Sequence, residues 1–129
     1  MPTFTGIHHL AVTVSDLDAS TAFYERLFGM PPASELEDDA LRRRLFALPG
    51  GTNLGLTEHE PTTEETFTPF RPGMDHIGFA VESHAELEAW AEHLTRIGVE
   101  HDGIVEAPYG SALSVKDPDR IALEFFVAA

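Results

Sequence analysis

The sequence predicts an α+β fold of two tandem βαβββ modules, about residues 1–60 and 73–129, joined by a linker over about 61–72 within one domain. Three observations predict it. The chain repeats itself: Gly6 falls on Gly73, His9 on His76, Val14 on Val81, Phe23 on Trp90 and Leu27 on Leu94 at a constant offset of 67. Two extra residues at the end of the second helix then shift the offset to 69, which places Gly29 on Gly98, Pro49 on Pro118, Leu54 on Leu123 and Gly55 on Glu124. A register held over most of the chain marks a duplication, and two long copies are too few for a solenoid. Second, each copy passes from a period of two to a period of 3.6 and back. Third, the copies are separated by EHEPTTEETFTPFRP, an acidic, proline-containing stretch that reads as a connecting loop.

The elements follow in order. Residues 7–14, IHHLAVTV, alternate and are rich in β-branched side chains, which predicts a strand. Ser15 or Asp16 caps a helix with Phe23, Leu27 and Phe28 on one stripe, ended by Gly29 and Pro31. Strands are expected near 33–37 and over 41–48 and 53–58. In the second copy a strand at 76–81 precedes Ser83 and Glu86, a capping-box pair. The helix stripe is Leu87, Trp90, Leu94 and Ile97, and Gly98 closes it. Strands near 103–106, 111–116 and 121–127 complete the module.

Composition removes several function classes. The 129 residues hold 22 acidic and 8 basic side chains, a formal charge of −14, and no cysteine. Disulfides, zinc–thiolate sites and cysteine nucleophiles are excluded. Such a charge repels phosphate backbones and anionic membranes, and the only basic run is Arg42–Arg44, so neither nucleic acid nor membrane is an expected partner. No apolar run approaches the ~20 residues of a membrane span, and the first residues lack a signal-peptide pattern, so a cytoplasmic location is expected.

Strand alternation sorts the candidate site residues. His9 shares a face with Ala11 and Thr13, His76 with Gly78 and Ala80, and Glu124 with Ala122 and Phe126; the bulky residues between them face the helices. Two imidazoles and one carboxylate on a face of small residues form a set that holds a divalent first-row metal and leaves positions open for substrate. The alternative is two satisfied core histidines and an edge carboxylate. Equivalent strand positions favour the metal, because an unpaired buried glutamate is costly.

At these residues the sequence resembles the vicinal oxygen chelate superfamily, which includes glyoxalase I, fosfomycin-resistance enzymes, extradiol dioxygenases and bleomycin-resistance proteins. The carriers are HHLAVTVSDLDASTAFYERLFGM, MDHIGFAV and VKDPDRIALEFF, so the resemblance covers nearly the whole chain. It implies a glyoxalase-like, cup-shaped and incompletely closed barrel, a homodimer, and a metal on His9, His76 and Glu124, with Fe, Mn, Ni, Zn or Co all compatible. It also implies a small-molecule substrate held through two neighbouring oxygens and lyase, isomerase, thiol transferase or dioxygenase chemistry. Departures from the family pattern narrow that range. The fourth ligand of glyoxalase I falls on Gly55, the tyrosine of dioxygenases and thiol transferases falls on Ser114, and the usual glycine of the DPDG turn is Arg120. A second function class shares the fold: a metal-free protein that binds a drug or other small molecule, as bleomycin-resistance proteins do, for which the acidic charge and an apolar pocket of Phe67, Phe70, Trp90 and Phe126 would speak.

Further residues carry weaker signals. Tyr109 and Ser114 are the candidate catalytic side chains, a phenol at the expected mouth and a hydroxyl on the site face; for Tyr109 a loop anchor is the alternative. His8 is expected on the face opposite His9 with a structural role. His59 is expected in a solvated loop, and His84, His93 and His101 carry no assigned role. One of Arg42, Arg43 and Arg44 should face the site, where it could grip an anionic substrate, with surface placement as the alternative.

Overall fold

A computed structural model describes all 129 residues, which divide into two compact units, Met1–Glu64 and Glu65–Ala129. The first contains β1 (His9–Thr13), α1 (Leu17–Phe28), β2 (Ser34–Glu37), β3 (Leu41–Ala47) and β4 (Asn53–His59); the second contains β5 (Ile77–Ala80), α2 (His84–Arg96), β6 (Ile104–Ala107), β7 (Gly110–Lys116) and β8 (Ala122–Ala128). Both are the expected βαβββ unit. Their sheets have equivalent orders, β1-β4-β3-β2 and β5-β8-β7-β6, with the first and last strands of each unit parallel and the other pairs antiparallel.

In the first unit Asp16 is the N-cap of α1, with its Oδ1 accepting from the Ala19 N–H at 3.1 Å. Gly29, left-handed at φ 68°, ends the helix by donating its N–H to the Glu25 carbonyl. A distant residue adds to the cap: Glu58 of β4 accepts from the Leu17 N–H at 2.7 Å, placing a carboxylate at the positive end of the helix dipole. The face of the sheet beneath α1 carries Val12, Leu54, Leu56 and Phe46, all buried with Leu17, Phe23, Tyr24 and Leu27 of the helix. Removing each such side chain from water contributes roughly 1.5–3 kcal/mol, which fixes the register, since a slip of one residue would turn the apolar set to solvent.

The second unit repeats this logic. The Ser83 Oγ accepts from the Glu86 N–H at 3.1 Å, the first half of the expected capping box. At the far end, Gly98 (φ 77°) donates to Thr95 and Val99 donates to Leu94, a Schellman closure that consumes two orphan carbonyls. Leu87 and Leu94 are buried with Leu113, Val115, Leu123 and Phe125 of the sheet, and the Trp90 indole stacks on Phe125 with ring centroids 4.0 Å apart. The turn into β8 is tied by Asp117, which is buried and accepts from the N–H groups of Asp119 (2.9 Å) and Ile121 (2.8 Å) through Oδ1. That turn requires a left-handed residue, and Arg120 supplies it at φ 67°.

Candidate functional site

In the second unit, the sheet face turned away from α2 carries the candidate groups. Glu124 on β8 lies between Gly78 on β5 and Ser114 on β7 in the strand register. His76 stands one residue before β5, later than the strand over 76–81 anticipates, yet its Nε2 lies 3.9 Å from Glu124 Oε1. This exceeds a hydrogen bond and lies below the ~4.2 Å limit for two ligand atoms ~2.1 Å from one shared ion, so a small rotation of either side chain would bring the pair to the ~3.0–3.4 Å of adjacent ligands. Gly78 contributes no side chain beside them, and an added Cβ there would meet nothing within 4 Å. Asp75 Oδ1 accepts a hydrogen bond from His76 Nδ1–H at 2.7 Å. In the neutral ring this leaves the Nε2 lone pair toward Glu124, the partner arrangement that fixes tautomer and orientation in metal-ligating histidines. The donor chemistry of the pair therefore fits a divalent ion.

Ser114 is exposed on the same face, directly across from Glu124. Tyr109 is also exposed, its ring stacked on that of Phe126 at a centroid distance of 6.3 Å. Gly110 permits this approach, because a Cβ at that position would collide with the Phe126 ring and the Val127 carbonyl. The aromatic set named for a metal-free pocket is divided: Phe126 lies on the face of Glu124, Trp90 packs on the opposite face, and Phe70 is 93 % exposed.

In the first unit His9 opens β1 and is exposed. His8 departs from the expectation: its ring is not on the opposite face but meets that of His9 edge-on, Nδ1 to Nδ1 at 3.0 Å. The strand begins only at His9, so alternation does not govern His8. One imidazole donates to the other, and His9 Nε2 takes no part in that bond. An open hollow of about 280 Å³ adjoins His9, lined by His8, Ser34, Glu35, Leu36, Arg43 and Leu45. The three arginines of β3 separate as alternation requires. Arg42 pairs with Asp18, Glu37 and Glu58, and Arg44 with Glu35 and Glu37, whereas Arg43 lies on the other face. The hydrogen bonds from Arg44 and then Arg42 hold the Glu37 carboxyl below its ordinary range.

Neither unit by itself gathers three His, Asp or Glu side chains able to hold a metal; the second unit brings His76 and Glu124 together, and His9 belongs to the first. The sequence reading did not single out Asp75, whose signal was its position beside His76, or His8 as a partner of His9. Of the remaining histidines, His59 is exposed at the end of β4, His84 sits between Glu88 (3.5 Å) and Glu106 (3.3 Å), and His101 accepts from the Gly103 N–H.

Comparison with known proteins places this chain in a family. Residues 6–125 match the model of the Glyoxalase/Bleomycin resistance protein/Dioxygenase superfamily. The chain belongs to that superfamily. A glyoxylase/bleomycin resistance protein/dioxygenase domain from Frankia sp. EAN1pec superposes with a TM-score of 0.90 at 32 % identity, over 98 % of this chain and all of that one. Fosfomycin resistance protein FosX of Listeria innocua is 26 % identical over 98 residues, 74 % of this chain and 68 % of the relative. A point mutant of FosX from Listeria monocytogenes, solved with Mn(II) and 1S,2S-dihydroxypropylphosphonic acid, shares the fold at a TM-score of 0.72 and 21 % identity, over 98 % and 95 % of the two chains. No helix is long and apolar enough to cross a membrane.

Proposed function

We propose that this superfamily member is a divalent-metal-dependent enzyme that binds two neighbouring oxygens of a small substrate, with His9, His76 and Glu124 as the protein ligands. The observation that carries the reading is the unbonded approach of His76 Nε2 to Glu124 Oε1 at 3.9 Å, over the open position of Gly78, with Asp75 holding the other ring nitrogen. The bound metal supplies Lewis-acid stabilisation of the oxyanion that develops on the substrate. Three protein ligands leave coordination positions for two substrate oxygens. The Ser114 hydroxyl, beside Glu124, donates to a substrate oxygen and orients it, and the Tyr109 phenol, held by its stack on Phe126, is a second donor at the rim. The FosX structure of the same fold carries Mn(II) with a vicinal diol, which supports Mn(II) as the first ion to supply among Fe, Mn, Ni, Zn and Co. A homodimer completes the reading.

Elemental mass spectrometry on untagged protein, reconstituted with Mn(II) and washed, tests it with the wild type beside Glu124→Ala. Near one equivalent in the wild type and almost none in the variant is expected. A wild type that retains no metal moves the function to the metal-free binding class.

A further inference from the structure

We propose that Arg43 is the anion receptor of this site, so that the substrate carries an oxyanion group, a carboxylate or a phosphonate, besides its metal-binding oxygens; this rests on the metal-dependent reading above. Three observations about the first unit carry it. The first is the state of the guanidinium. On a strand where Arg42 and Arg44 are both neutralised by carboxylates, Arg43 pairs with none, in a chain with 22 acids to 8 bases. An acid-rich protein that leaves one half-buried arginine unpaired keeps a charge whose desolvation is uncompensated until an anion arrives. Asp38, the acid that feels Arg43 electrostatically, has its carboxylate engaged by the Ala40 and Leu41 N–H groups at 2.7 and 3.0 Å, and Glu35 on the rim of the hollow is paired with Arg44.

The second observation is orientation. Arg43 Nε donates to the Thr57 hydroxyl at 2.8 Å, and Thr57, its partner in the β3–β4 register, is only 2 % exposed. A buried anchor at Nε fixes the plane of the guanidinium and leaves Nη1 and Nη2 without a hydrogen bond, the edge of the fork that takes two oxygens of one anion. Thr57 is thus a positioning residue.

The third is place. Arg43 lines the same hollow as His9, together with Ser34, Leu36 and Leu45. Its stem lies over Gly55, where a Cβ would sit 3.7 Å from Arg43 Cδ, an ordinary packing distance that places the arginine over β4 on the His9 face. A cation, two imidazoles and the apolar Leu36 and Leu45 around about 280 Å³, with the Glu35 carboxylate on the rim paired to Arg44, suit a small anionic molecule.

The test is calorimetric titration of the Mn(II)-loaded protein with lactate, methylphosphonate and propane-1,2-diol, wild type against Arg43→Met and Arg43→Lys. Lactate and methylphosphonate distinguish the planar from the tetrahedral anion, and the neutral diol reports the metal alone. We expect at least one anion to bind the wild type and to lose about tenfold to a hundredfold in affinity in Arg43→Met, as befits a bidentate charge-assisted contact. Arg43→Lys recovers only part of the loss, and diol binding is unchanged in both. Anion affinity unchanged in Arg43→Met overturns the proposal, as does an equal loss for diol and anions, which would make Arg43 a packing residue. The metal content of the same samples separates the two readings. If the wild type holds no metal, the metal-dependent function fails, while the same anion titration on the metal-free protein still decides whether Arg43 receives an anion.

Discussion

Asp75 offers a sharp test of the metal reading, because it contacts the proposed ligand His76 without being one itself. Its Oδ1 lies 2.7 Å from His76 Nδ1, and both side chains are partly solvated, at 77 % and 45 % exposure. Removing the carboxylate in Asp75→Ala releases two choices that it now settles, which face of the ring is turned to Glu124 and which nitrogen carries the proton. One arrangement in four then presents an Nε2 lone pair to the ion, a loss of about fourfold. The lost polarisation of the ring by a charged acceptor adds a further factor of about two to three, small because solvent screens the pair. The product, about tenfold weaker Mn(II) binding, lies at the low end of the tenfold-to-hundredfold range for outer-shell partners. Competition against a fluorescent chelator measures it, and Asp75→Asn, which keeps an acceptor without the charge, should fall between the variant and the wild type. Asp75→Ala protein that binds as tightly as the wild type, while Glu124→Ala does not bind, would refute the orienting role of Asp75.

The remaining predictions concern the frame. Arg120 holds a left-handed backbone at φ 67°, so Arg120→Gly should raise stability by about 1 kcal/mol in urea unfolding. Gly110→Ala drives a methyl into Phe126 and the Val127 carbonyl and should cost about 2–3 kcal/mol, with a change in Tyr109 fluorescence as its stack is displaced. Acid should weaken the first unit. Glu37, through Arg44 and then Arg42, and Asp38, through the Ala40 and then the Leu41 N–H, have carboxyls held below their ordinary values of 4.5 and 3.8. The unfolded chain then takes up protons first, so the stability they contribute is present above those values and is lost as pH falls through the lower folded ones. Urea midpoints measured from pH 6 to pH 3 should therefore fall less steeply for Glu37→Gln and Asp38→Asn than for the wild type.

The architecture was legible because the sequence states it twice. The shared register of Gly6 and Gly73 or Leu54 and Leu123 identifies equivalent strands, and local cap chemistry at Asp16, Ser83 and Gly98 sets the helix ends. What escaped depends on neighbours distant in sequence or on a boundary one residue off. That Glu58 caps α1 follows only from the pairing of β4 beside β1. Which of three consecutive arginines meets the face of His9 depends on the β3–β4 register, which composition does not encode. His8 and Asp75 lie just outside β1 and β5, where period-two reasoning stops, and both contact the rings that alternation had singled out.

The parallel pairing of first and last strands orders the events of folding. His9 cannot find Asn53, nor Gly78 find Glu124, until every other element of the same unit has been synthesised, and closing so long a loop is slow compared with forming the β3–β4 or β7–β8 hairpins. In each unit the hairpin is thus available as a template, and the strand beside the candidate histidine docks on its edge last. The metal-ligand candidates mature late, so a nascent or truncated chain would hold its hairpins well before it could hold an ion.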